Sequence, residues 1–173
     1  MSTIRDATLD DATAIASIYN DNVVPTTVGW TEEVETPEHR RAWLATQAEA
    51  GNPVLVAIDG ASGAVVGFAS YGDFRDSRKW PGYRFTVEHT IHVADGQRGA
   101  GTGRALMDAL IDRAIADGRH RMVGGIDGDN DASIRFHERL GFVQVAHLPE
   151  VGFKVGRWLD LVLVQLALDR PRP

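Results

Sequence analysis

Hydrophobic spacing alternates between two periods along this chain. Ile4–Thr8 reads as a short strand. Ala14, Ile15, Ile18 and Tyr19 then share one helical face, with Asp10 or Asp11 as the expected cap. Val23–Glu35, which carries Pro25, Gly29 and Trp30, shows no period. Thr36-Pro37-Glu38 predicts a helix start, and that helix runs to about Ala50 before Gly51-Asn52. Pro53–Asp59 and Ala64–Asp73 predict a hairpin around Gly60–Gly63. Asp76–Tyr83 (DSRKWPGY) predicts a loop, and the β-branched Arg84–Val93 a strand. Leu106, Leu110, Ile111 and Ala114 place an amphipathic helix over Thr102–Asp117, with Gly118 as its stop. Met122–Asp127 predicts a strand, Asp131–Leu140 a helix capped by Asn130, and Phe142–His147 and Trp158–Leu168 two final strands. The order β-α-α-β-β-β-α-β-α-β-β predicts one α/β domain over residues 1–173, with a sheet of mixed direction.

Composition narrows the partners. The net charge of −6 argues against a phosphate-backbone binder, which needs a basic face. It leaves room for a small anion in a local positive pocket. The longest apolar stretch, Trp158–Leu168, is interrupted by Asp160 and Gln165, so no membrane span is expected. The start MSTIRDATLDD has no apolar run behind a basic flank, so no signal peptide is expected. There is no cysteine, which excludes disulfides, thiolate metal sites and a cysteine nucleophile, and suits a cytoplasmic setting. Asp127-x-Asp129-x-Asp131 with Glu138 imitates a calcium loop, but Ala132 stands at the required glycine and a strand precedes it. His89 and His92 have metal-like spacing, yet on a strand they face opposite sides. No metal is expected.

The most informative stretch is Gln97-Arg98-Gly99-Ala100-Gly101-Thr102-Gly103-Arg104, between a strand and a helix. Glycines let backbone N–H groups converge, and a helix start adds partial positive charge. Arg104 stands where a dinucleotide fingerprint needs glycine, and no lysine completes a P-loop. A glycine turn without any ligand is the plain alternative.

The motif Q/R-x-x-G-x-G/A after a β-branched strand resembles the pyrophosphate loop of the GNAT superfamily of acyl-CoA N-acyltransferases. TVEHTIHV at Thr86–Val93, NDASIRFHERLGF at Asn130–Phe142 and VGFKVGRWLDL at Val151–Leu161 resemble its phosphinothricin / methionine sulfone N-acetyltransferase branch. IYND at Ile18–Asp21 and PVLVA at Pro53–Ala57 do so too. The resemblance implies a GNAT fold with a mixed, mostly antiparallel sheet, acetyl-CoA as donor, and a small amino-acid-like amine as acceptor. It implies a homodimer through the end that carries Gly156-Arg157-Trp158-Leu159-Asp160. Two departures touch the acceptor: DSRKWPGY is longer than the branch pattern, and His92 replaces a usual tyrosine.

An amine must lose a proton before it attacks a thioester. Glu88, in the strand that feeds the glycine loop, is the candidate base, with Thr86, Thr90 and His92 on its face. A surface pairing with an arginine is the alternative. The resemblance assigns backbone N–H groups of Ile91, His92 and Val93 to the acetyl carbonyl and the pantetheine arm. It places His137 near the departing sulfur, as an acid, a cofactor contact or a packing residue. Arg98–Arg104 and Arg139 are expected on the cofactor side. Asn130 is a helix cap, a polar contact, or both. On the acceptor side stand Glu88, His89, Thr90 and Asn130, with Arg75 and Arg84 as carboxylate forks and Trp30 as a wall. A surface arginine and a buried aromatic are the plainer readings of those last residues. Peptide or polyamine acetylation, and a non-catalytic acyl-CoA sensor, are the competing functions.

Overall fold

Thr36 opens a helix by local chemistry alone. Its side chain accepts from His39 N–H, and Pro37 at the first turn has no N–H to satisfy. A computed structural model describes residues 2–168, so residue 1 and residues 169–173 of the expected domain lie outside the described residues. The elements are β1 (Ser2–Asp6), α1 (Ala12–Val23), α2 (Pro37–Glu49), β2 (Val54–Asp59), β3 (Val65–Asp73), β4 (Thr86–Val93), α3 (Thr102–Ala116), β5 (Arg121–Asp127), α4 (Asp131–Glu138), β6 (Val143–Lys154) and β7 (Arg157–Ala167). Their order is the one the hydrophobic periods predict.

The strands form one seven-stranded sheet in the order β1-β2-β3-β4-β5-β7-β6. The β4–β5 pair is parallel and the other pairs are antiparallel. Each face buries its own core. On one, Leu106, Met107, Leu110, Ile111 and Ala114 of α3 pack on Ala69, Val87, Met122 and Val164. On the other, Ile15 and Ile18 of α1 and Leu44 of α2 pack on Val56 and Phe68. The alternation along β2 and β3 supplies both cores from the same strands.

Two local expectations change. Asp11 stands at the N-cap of α1, as expected, but its side chain makes no cap hydrogen bond there. Asp11 closes a capping box with Thr8 around a 3-10 turn, Leu9–Asp11, and pairs with Arg5 at 2.8 Å. The Arg5 pair, ahead of the Thr8 bonds, holds the Asp11 carboxyl below its ordinary range. The strand expected to end at His147 continues as β6 to Lys154. Register shifts near Ala146 and between Leu148 and Gly152 absorb Pro149, whose missing N–H would break a regular ladder.

Candidate active site

Strands β4 and β5 pair only through Thr86, Val87 and Glu88, opposite Arg121, Met122 and Val123. Beyond Glu88 they part. Ala94 N–H donates to Val66 O at 2.9 Å, and Thr86 O accepts from Phe74 N–H at 3.2 Å. Even-numbered positions of β4 thus turn their backbone groups toward β3, and odd-numbered ones toward the gap. Ile91 and Val93 present N–H groups to the gap, while the His92 N–H turns to β3. This narrows the donor run expected over residues 91–93.

On one side of the gap lies a cavity of about 490 Å³ lined by Ile91, His92, Val93, Arg98, Gly99, Gly101, Gly103, Arg104, Asn130, His137 and Arg139, with Asn22, Ser133 and Phe136. Gly99 and Gly101 have φ of 81° and 86°, a left-handed backbone that favours glycine. They steer the chain into α3, whose first N–H groups lack intrahelical partners. Gly103 seats against Phe136 and Val93, and a Cβ there would meet each at 3.6 Å. Arg98 is held by Asp95 at 3.2 Å and donates to Asn22 Oδ1. Arg104 pairs with Asp108 at 3.3 Å. Converging N–H groups, a helix start and three arginines fit a diphosphate, and the extended edge at Ile91 and Val93 fits an amide arm. Ala100 does not line this cavity. Thr102 turns inward, buried, with Oγ1 3.1 Å from Ser2 Oγ.

A second cavity of about 490 Å³ lies on the α1/α2 face, lined by Glu88, His89, Thr90, Ser70, Tyr19, Glu35, Arg40, Trp43, Gln47 and Gly125. Glu88 keeps an open edge, yet the cavity walls desolvate it and raise its pKa. Among the described residues it has no arginine partner. Gly125 leaves room beside it, since a Cβ there would sit 3.8 Å from Glu88 Oε1.

Two stacked rings separate the cavities. His89 and His137 lie 5.0 Å apart, and Phe142 packs edge-on against both. A Cβ on Gly124 would come within 2.7 Å of His89 Nε2, so only glycine leaves space for that ring. His137 Nδ1 is 2.7 Å from Ser133 O. A carbonyl can only accept, so Nδ1 carries the proton and Nε2 of the neutral ring is an acceptor. Burial lowers the His137 pKa, which favours that neutral ring.

Burial is the main cause that drives His89 down to about 3 and His92 down to about 4; for His92 the charges of Arg40 and Arg98 add to it. In the unfolded chain both titrate near 6.5. The unfolded state therefore takes up protons first, so stability present above about pH 6.5 is lost as pH falls toward 4. At about pH 5 the two rings together should remove about 4 kcal/mol. Thermal melts at fixed ionic strength should show Tm falling steadily below about pH 6.5. A flat Tm down to about pH 5 would contradict the buried neutral rings.

Three residues expected at the acceptor side stand apart from both cavities. Trp30 lies against Gly152 of β6, so close that a Cβ there would fall 2.3 Å from its ring. Arg75 stacks over the Phe74 and Tyr83 rings. Arg84 covers Phe85 and donates to Pro81 O at 2.9 Å. Arg84 thus has local partners, whereas Arg75 is exposed and only rests against rings. Asn130 accepts from Ser133 N–H at 3.1 Å as a helix cap and also lines the cofactor cavity. Asp127 and Asp129 are engaged by Arg157, and Asp131 by Arg135. Sequence reasoning missed Arg40, Trp43 and Gln47. Their spacing on one face of α2, where apolar residues alone would be expected, was the available signal.

A parted parallel strand pair, a glycine-rich helix start and a carboxylate across the gap define an acyl-CoA N-acetyltransferase, and the chain belongs to the Acetyltransferase (GNAT) family, which residues 15–142 match. It is 50% identical over 171 residues to the L-methionine sulfoximine/L-methionine sulfone acetyltransferase of Pseudomonas aeruginosa, covering 99% of this chain and 97% of that protein. It is 37% identical to the phosphinothricin N-acetyltransferase of Streptomyces coelicolor, covering 91% of each chain. The structure of yncA from Salmonella typhimurium with its cofactor acetyl-CoA matches with a TM-score of 0.92 at 44% identity, over 99% of this chain and 96% of that one. Acetyl-CoA is thus the cofactor. Among the described residues no helix is long and apolar enough to cross a membrane.

Proposed function

We propose that the protein moves the acetyl group of acetyl-CoA to the α-amine of a small amino-acid-like acceptor of the methionine sulfone, sulfoximine or phosphinothricin type. The observation that carries this is the pair of cavities flanking the point where β4 leaves β5, with Glu88 lining one and Ile91 and Val93 the other. The names of the relatives support the acceptor class. Bound acetyl-CoA supplies an already activated thioester. The protein then positions the amine, takes its proton and steadies the charge that grows on the carbonyl oxygen. Glu88, with its raised pKa, accepts the proton directly or through a water. Of the Ile91 and Val93 N–H groups, two residues apart along the strand, one meets the carbonyl oxygen and the other the pantetheine arm. His137 offers Nε2 as an acceptor to the cofactor arm and does not act as an acid. Because the thioester is already activated, the amine attacks it directly while both substrates are bound: the C–N bond forms, the C–S bond breaks, and coenzyme A leaves as a thiolate, whose ordinary pKa makes it a tolerable leaving group.

The protein acts as a homodimer in this reading. Val143, Val145, Val151, Phe153 and Trp158 lie exposed along the β6–β7 edge, and Phe153 and Trp158 stack at 5.2 Å. In this reading the protein works in the cytoplasm, where acetyl-CoA is available to it. A thiol-release screen with methionine sulfone, methionine sulfoximine, phosphinothricin, a polyamine and a peptide should show turnover on the first three. Turnover confined to the peptide or polyamine would replace the acceptor class. Saturable acetyl-CoA binding with no turnover on any amine would favour a sensor. Sedimentation of the same sample should give the dimer mass, and a monomer would remove that part.

A further inference from the structure

The acceptor cavity holds a cation that the acetyl transfer above does not use. Arg40 stands in the first turns of α2 with a side chain only 8% exposed. Its guanidinium lies 3.9 Å above the Tyr19 ring and 5.0 Å from the Trp43 ring. The nearest carboxylate, Glu35 Oε1, is 3.5 Å from Nη2, longer than a charge-assisted hydrogen bond. Arg40 Nε is buried and meets no acceptor among the described residues. Arginine stays charged and carries five donors, so a buried guanidinium left so incompletely matched is destabilising. On the same face of α2, Gln47 Oε1 is also buried and without a partner. Both residues line the cavity that contains Glu88 and Thr90.

We propose that Arg40 receives the carboxylate of the acceptor and so selects amines that carry an adjacent anion. This rests on the amino-acid acceptor proposed above. The two rings fix the guanidinium plane before anything binds, so little side-chain freedom is lost when a carboxylate docks. Glu35 balances the charge without occupying the fork. Gln47 Oε1 offers a neutral acceptor to a polar acceptor group. With the carboxylate at Arg40, the α-amine turns toward Glu88 and the gap beyond it.

The test is steady-state kinetics at saturating acetyl-CoA on methionine sulfone and on its carboxamide, for wild type, Arg40→Gln and Arg40→Lys. In Arg40→Gln, kcat/KM for the acid should fall about 10–150-fold, chiefly through KM. The value for the carboxamide should change little. Arg40→Lys should lie between, because a point charge keeps the attraction but loses the fork. Acetyl-CoA affinity by calorimetry should stay the same in all three. A packing role alone would lower both acceptors together, and equal losses overturn the proposal. If neither variant folds, wild type still decides: a carboxamide turned over as well as the acid overturns it. No turnover on any amino-acid analogue overturns the acceptor class and Arg40's role with it. Turnover with an unchanged acid-to-carboxamide ratio overturns Arg40's role alone.

Discussion

Glu88→Gln should lower kcat/KM by about 10²–10⁴-fold near neutral pH and leave acetyl-CoA affinity intact. The α-amine reaches the site largely protonated, and Glu88 is the carboxylate beside the gap, with no arginine partner among the described residues. Burial raises its pKa, which makes it a stronger base than an ordinary glutamate. A base works only when ionised, so wild-type activity should be lost as pH falls through that raised pKa. Glutamine keeps the shape but cannot take the proton, so the variant should lose this acidic limb along with its rate. Full turnover by Glu88→Gln across the pH range would remove Glu88 from the mechanism.

Lys154→Met should cost about 3–5 kcal/mol of stability, the scale of leaving buried polar partners without their charge. At this chain length that corresponds to a drop of roughly 6–20 °C in Tm. Lys154 is 2% exposed, and its ammonium donates to Val23 O at 2.6 Å and to Thr26 O and Gly29 O at 2.7 Å each. The three protons meet three carbonyls, so the end of α1 and the segment after it are fastened to β6. That segment carries Val28 to the cofactor cavity and Trp30 to Gly152. Methionine fills similar volume but strands all three carbonyls. Scanning calorimetry and the KM for both substrates check this. A Tm within about 2 °C of wild type would show that the segment is held by other contacts.

The fold was legible because its signals are local. Thr36 and Pro37 announce α2, Gly118 ends α3, and alternation fixes the faces of β4. The glycine loop was legible for the same reason, since its spacing and its helix lie next to each other in the chain. The long β6 was hidden, because Pro149 and Gly152 argue against a strand until bulges accommodate them. Arg40 and Lys154 were hidden too. Only the spacing of Arg40 with Trp43 and Gln47 hints at its burial, and decisive partners come from distant segments: the Tyr19 ring for Arg40, the carbonyls of residues 23–29 for Lys154. Arg75 and Arg84 were legible as arginines beside a loop, but the rings that hold them become neighbours only in three dimensions.

The grip of the loop on coenzyme A is measured most directly by calorimetric titration of wild type and Gly101→Val with acetyl-CoA. Gly101 has φ of 86° at the start of α3, where a β-branched side chain would force the loop to change shape. Wild type should bind saturably, one acetyl-CoA per chain, and the variant should bind at least about tenfold more weakly. Wild-type protein that shows no saturable binding would contradict the account at its root.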